Sequence, residues 1–169
     1  MSTRRISGTT AWSWPAWRLA VSYKTPFADR ANVTIMSNDI TPLTLGWTIV
    51  YVDDPVAVSE FYAGTFGLTP EFAATDGSYA QLDTGQTKLA FASYALAETN
   101  FPGGVTRPDP ERPPNVEITL VTPDVDGATR VALDAGCTSL ADAVDKPHGQ
   151  RVAFVRDPFG TLVEIGTPM

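Results

Sequence analysis

From Leu45 onward the hydrophobic pattern switches between a period of two and a period near 3.6, and it does so twice in the same order. Leu45 to Val52 (LGWTIVYV) predicts a strand. Asp54 then caps a helix that has Pro55 in its first turn, buries Val58, Phe61, Tyr62 and Phe66 at helical spacing, and stops at Gly67. Three short strands are expected near 70–74, 78–83 and 87–93, separated by Asp76-Gly77 and Thr84-Gly85 turns. After a Pro- and Gly-rich stretch, about 95–114, the order returns. Val116 to Thr122 (VEITLVT) is a strand, Asp124 opens a helix closed by Gly136, and strands follow near 138–143, 151–156 and 161–166.

The last of these units is the most informative. RVAFVRDPFGTLVEI, Arg151 to Ile165, predicts a hairpin turning on Asp157-Pro158-Phe159-Gly160, where Pro suits the second turn position and Gly the fourth. Its strands are apolar enough to expect burial on both faces, yet they contain Glu164. An ionised carboxylate buried without partners costs several kcal/mol or more, so Glu164 is expected to be hydrogen-bonded, metal-bound, protonated or facing a polar cavity. Sliding one repeat over the other aligns Trp47 with Glu117, Asp54 with Asp124, Asp83 with Asp157 and Ala90 with Glu164.

Strand alternation sorts the side chains by face. The helices are expected to cover the aliphatic faces, which leaves Trp47, Ile49, Tyr51, Tyr79, Gln81, Lys88, Ala90, Glu117, Thr119, Ala153, Val155, Leu162 and Glu164 on the other. The expected fold class is α+β: two paired βαβββ modules whose curved mixed sheets form a cup-shaped cavity with this aromatic and polar lining, suited to a small molecule. Module 1 spans about 44–94, a linker or flap about 95–114, and module 2 about 115–168, within one domain over 41–169. Residues 1–40, with Arg4, Arg5 and three tryptophans in no regular pattern, are expected to be a disordered or non-native extension. Met36 would make a natural start.

Composition narrows the function. With 43% hydrophobic and 18% charged residues, the chain is a folding one and not a disordered one. No apolar run is long enough to span a bilayer, so no membrane partner and a cytoplasmic location are expected. Net charge is −7, and from Met36 onward seven Lys or Arg face eighteen Asp or Glu. That balance argues against nucleic acid and mildly favours a neutral or cationic ligand. A single cysteine, Cys137, excludes an intrachain disulfide, and a single histidine, His148, excludes any two-histidine metal site within the chain.

The repeat resembles the vicinal oxygen chelate superfamily, which includes glyoxalase I, extradiol dioxygenases, fosfomycin-resistance enzymes and bleomycin-resistance proteins. The resemblance is carried by WTIVYVDDPVAVSEFYAGTFGL, VEITLVTPDVDGATRVALDAG and PHGQRVAFVRDPFGTLVEI. It implies paired βαβββ modules, commonly in homodimers. In metal-using members four positions supply His, Gln or Glu ligands. Carried over residue by residue, they are Trp47, Ala90 (or Leu89), Glu117 and Glu164, of which only the last two can coordinate a metal. No cofactor is therefore expected. A hard cation held by Glu117, Glu164 and water is the disfavoured alternative.

Two functions fit these residues. The first is a small-molecule-binding protein without a complete metal site, sequestering a cationic or aromatic compound such as an antibiotic, with Trp47, Ile49, Tyr51, Tyr79, Gln81, Ala90, Thr119 and His148 as ligand contacts. The second is a lyase or isomerase in which Glu117 and Glu164 act as catalytic acid-base groups on an α-carbonyl substrate, with Lys88 as electrophile. The same aromatics could instead fill a core.

Overall fold

The structure is a computed structural model that describes residues 43–169. The expected N-terminal extension lies outside the described residues. The elements run β1 (Trp47–Val52), α1 (Pro55–Phe66), β2 (Thr69–Ala73), β3 (Tyr79–Asp83), β4 (Lys88–Ser93), α2 (Tyr94–Asn100), β5 (Glu117–Val121), α3 (Val125–Asp134), β6 (Thr138–Asp145), β7 (Arg151–Arg156) and β8 (Leu162–Gly166). A strand, a helix and three strands thus occur twice. The helix starts have the physical cause expected of them. The Asp54 carboxylate accepts the Val56 and Ala57 N–H groups at 3.1 Å each, and Asp124 accepts that of Gly127 at 2.9 Å, so orphan donors of each first turn are satisfied. Gly67, at φ 70°, closes α1 in the left-handed conformation that favours glycine. One helix escaped the sequence pattern. Ser93 caps the seven-residue α2 at the start of what reads as linker, because a short helix followed by Pro and Gly shows too little periodicity.

Each unit forms a four-stranded mixed sheet, in the order β1-β4-β3-β2 and β5-β8-β7-β6. In each, the first and last strands of the unit pair in parallel and the remaining pairs are antiparallel. The two sheets are separate and open, each with two free edges, and they do not form the cup-shaped cavity expected above. Burial supplies the reason. The helix-covered faces share one core, in which Val58, Tyr62, Leu82 and Phe91 of the first unit join Val125, Val155, Val163 and Ile165 of the second. Removing this apolar area from water is the dominant favourable term, and it holds the units together by their helix sides. The opposite faces point outward, leaving Trp47 55% and Ile49 44% exposed.

Register corrects one face assignment. Phe154, not Ala153 or Val155, lies opposite Glu164. Ala153 and Val155 are fully buried on the helix side, while Phe154 and Glu164 are half-buried on the outer side. Glu164 therefore needs no buried partner, because its strand has one partly wet face after all.

The Asp157 turn links the two units. Tyr62 donates its hydroxyl to Asp157 Oδ2 at 2.9 Å, and the Phe159 and Thr161 N–H groups donate to Oδ1 at 3.0 and 2.7 Å. Phe61 and Phe159 meet edge to face with ring centroids 5.5 Å apart. Gly160, at φ 97°, completes the turn, and a Cβ there would lie 2.6 Å from the Pro108 side chain. Gly160→Ala should destabilise the protein by about 1–3 kcal/mol through left-handed strain and displacement of Pro108, which denaturant unfolding measures. Cys137 is buried, as its small apolar character suggests, and burial pushes its thiol up to about 11, so it is not a nucleophile at neutral pH.

Candidate functional site

The outer face of the first sheet gathers most of the expected ligand contacts. Alternation on β1 puts Trp47, Ile49 and Tyr51 on this face, and register sets Ile49 beside Ala90 and Ala90 beside Gln81. A hydrogen-bond chain fixes the polar members. The Trp47 indole N–H donates to Gln81 Oε1 at 2.7 Å, the Tyr79 hydroxyl donates to the same oxygen at 3.1 Å, and Gln81 Nε2 donates to Glu71 Oε2 at 2.7 Å. Burial, then the charge of Glu71, raises the Tyr79 phenol above its ordinary value, so it stays a neutral donor. Ala90 is fully buried beneath its neighbours and offers a ligand no surface. Phe101 packs edge to face on Tyr51 at 6.1 Å and extends the apolar shelf.

Lys88 reaches the same face but is already engaged, with its ammonium 2.6 Å from Asp83 Oδ1 and 3.2 Å from Glu71 Oε2. Its pKa is raised chiefly by the hydrogen bond to Asp83. Glu71 joins this candidate site through Gln81 and Lys88, and sequence reasoning missed it. A bulge between Pro70 and Phe72 shifts the β2 register there, and simple alternation cannot anticipate a bulge.

Glu117, Thr119 and Glu164 share the outer face of the second sheet. Thr119 is the Cα partner of Glu164, which puts Glu117 on the diagonal position. Neither carboxylate has an ion-pair or hydrogen-bond partner among the described residues. His148 stands apart in the β6–β7 turn, exposed, with Nε2 3.0 Å from Gln150 Oε1. The ten expected site residues are thus divided between two sheets and a turn. Among the described residues no group of three His, Cys, Asp or Glu is placed to hold a metal ion. Glu117 and Glu164 supply oxygen donors, but the positions matched to the other family ligands hold Trp47 and Ala90, which do not coordinate. The donor set does not fit the family's metal.

Two crevices lie where the outer edges of β1 and β5 approach each other. The larger, about 420 Å³, lies between the β1 backbone from Thr48 to Tyr51, the segment 105–116 and the turn at Phe159 to Thr161. The smaller, about 260 Å³, includes Lys88, Glu117 and Thr119, and the two share Thr48 and Ile118 as walls. The segment over the larger crevice is pinned. Arg107 stacks on the Tyr94 ring at 4.0 Å and pairs with Asp53 at 2.7 Å, and Arg156 Nη1 donates to Pro110 O at 2.5 Å. No sequence motif announces these contacts, which join residues up to 54 positions apart.

Among the described residues no helix is long and apolar enough to cross a membrane. The fold is shared with solved structures. A glyoxalase-related enzyme from Fulvimarina pelagi is 22% identical over 74% of this chain and 88% of its own, with a TM-score of 0.63. A glyoxalase/bleomycin resistance protein/dioxygenase family enzyme from Burkholderia phytofirmans PsJN is 20% identical over 75% of this chain and 100% of its own, TM-score 0.63. A lactoylglutathione lyase from Agrobacterium tumefaciens is 21% identical over 75% and 94%, TM-score 0.56. At such identities the likeness establishes the fold and not the activity. No curated protein is significantly similar to the chain. Residues 44–165 match the Glyoxalase/Bleomycin resistance protein/Dioxygenase superfamily, and with both repeats inside that match the chain belongs to this family, the vicinal oxygen chelate superfamily.

Proposed function

We propose that this protein binds a small cationic or aromatic compound, such as an antibiotic, without a metal cofactor, on the outer face of the first sheet. The observation that carries the reading is Trp47, which is 55% exposed and yet held by its hydrogen bond to Gln81. A fixed, exposed indole flanked by Ile49 and Tyr51 is a stacking surface whose ordering cost is met before any ligand arrives. The acidic body and the unpaired Glu117 and Glu164 favour positive charge on that ligand. The acid-base reading of the two glutamates has less support, because the lysine it needs is held by Asp83 and Glu71. Titration with cationic glycopeptide antibiotics should quench tryptophan fluorescence saturably; a flat response across flat aromatic and cationic compounds would sink the proposal.

The same reading includes a homodimer and a cytoplasmic location. Phe72 on one outer face and Val121 on the other are exposed outside the Trp47 shelf, an apolar surface of the kind a second copy covers. Light scattering on the purified protein should then give twice the chain mass of 18.1 kDa, and a monomer at micromolar concentration would count against the dimer.

A further inference from the structure

The seam between β1 and β5 has a chemistry of its own. Lys88 N–H donates to Gly46 O at 2.9 Å and Thr122 N–H donates to Gly166 O at 2.9 Å. In a parallel ladder alternate residues turn both backbone groups toward the partner strand, and the residues between turn theirs away. Trp47, Ile49 and Tyr51 on β1, and Glu117, Thr119 and Val121 on β5, therefore direct N–H and C=O groups outward from the sheet edges. None of these has a backbone partner among the described residues. The edges do not satisfy each other, since no Cα of β1 lies within 8 Å of one of β5, whereas directly paired strands place them about 4.5–5.5 Å apart. Unpaired strand edges beside an apolar crevice are a template for one more strand.

We propose that this seam takes a short apolar peptide in extended conformation, which adds a strand beside β1 and buries its side chains in the larger crevice. Ile49, Val50, Val116, Ile118 and Phe159 furnish the apolar walls. Charge sets the direction. At the Lys88 end the ammonium is already held by Asp83 and Glu71, and the unpaired Glu117 carboxylate lines the smaller crevice, where it suits a peptide's α-ammonium group. At the other end Arg112, 83% exposed, engages Asp109 through Nε and keeps its terminal nitrogens for an α-carboxylate. The site adjoins the aromatic shelf and shares Ile49 and Tyr51 with it, but it is read by the backbone edge and not by stacking.

Trivaline added to the full-length, nitrogen-15-labelled protein tests the seam. The expected result is saturable shifts of the Ile49, Tyr51, Glu117 and Thr119 amides with slowed hydrogen exchange. Trivaline N-methylated at its central amide should bind about tenfold more weakly, since it cannot donate to the edge. N-acetylation should weaken trivaline as well, and Glu117→Gln should erase that difference. Equal binding of the methylated and unmethylated peptides, shifts confined to the Trp47 indole N–H, or no saturable change at millimolar peptide would each overturn the proposal. The cationic-ligand reading stands or falls separately, by tryptophan fluorescence.

Discussion

Asp157→Ala should lower the unfolding free energy by about 3–5 kcal/mol and the melting temperature by about 10 °C. The carboxylate is 3% exposed and accepts from Tyr62, Phe159 and Thr161. Alanine strands the buried Tyr62 hydroxyl and Thr161 N–H and the part-buried Phe159 N–H without their acceptor, and each orphan carries its own desolvation penalty. The loss also falls on the contact between the two units, since Tyr62 and Asp157 belong to different repeats. Tyr62→Phe should cost less, about 1.5–3 kcal/mol, because it removes one donor and keeps the turn intact. A loss below 1 kcal/mol for Asp157→Ala would show that the turn holds without its carboxylate.

The same residue predicts a pH dependence. Burial raises the Asp157 carboxyl above its ordinary value of 3.8, against the lowering effect of the Thr161, Tyr62 and Phe159 hydrogen bonds. A group whose folded pKa is raised binds its proton more tightly in the folded state, so its contribution is full below the unfolded pKa and is lost as pH rises through the folded pKa. The stability advantage of the parent protein over Asp157→Asn should therefore shrink from pH 3.8 upward, as followed by urea unfolding at a series of pH values. An advantage that grows with pH over that range would reverse the assignment.

Trp47→Ala should weaken binding of a cationic aromatic ligand by at least about tenfold, which fluorescence polarisation or calorimetry would measure. Truncation removes the stacking face and one of the two donors to Gln81 Oε1, leaving Tyr79 to hold the amide alone. Stability should change little, because Trp47 is more than half exposed and lies outside the shared core. This separates a binding role from a packing role. A variant that unfolds easily would mark Trp47 as structural, whereas one that is stable and binds as before would remove the shelf from the proposed site. Glu117→Gln and Glu164→Gln should each weaken the same cationic ligand by a smaller factor, and a neutral aromatic ligand hardly at all.

The repeat, the helix caps, the turn at Asp157 and the sides of β1 were legible in the sequence because each rests on local chemistry. A carboxylate followed by Pro caps a helix wherever it stands, and alternation puts Trp47, Ile49 and Tyr51 on one face whatever packs nearby. Gln81 and Tyr79 joined them for the same reason. The absence of a full ligand set was also readable, since it depends only on which residue types occupy the four positions.

What lay beyond the sequence was every decision made between segments. Alternation assigns two faces to a strand without saying which one a helix covers, and on β7 the buried face is the one holding Ala153 and Val155. The bulge at Pro70 and Phe72 brought Glu71 to Gln81 and Lys88, which turned a candidate electrophile into a paired lysine. Above all, the sequence fits two sheets enclosing a cup as readily as two open sheets joined by their helix sides. Tertiary packing chose the second, because the side chains of the shared buried core sit on the helix-covered faces. The aromatic and acidic faces were left outward, with the unpaired edges of β1 and β5 between the two units.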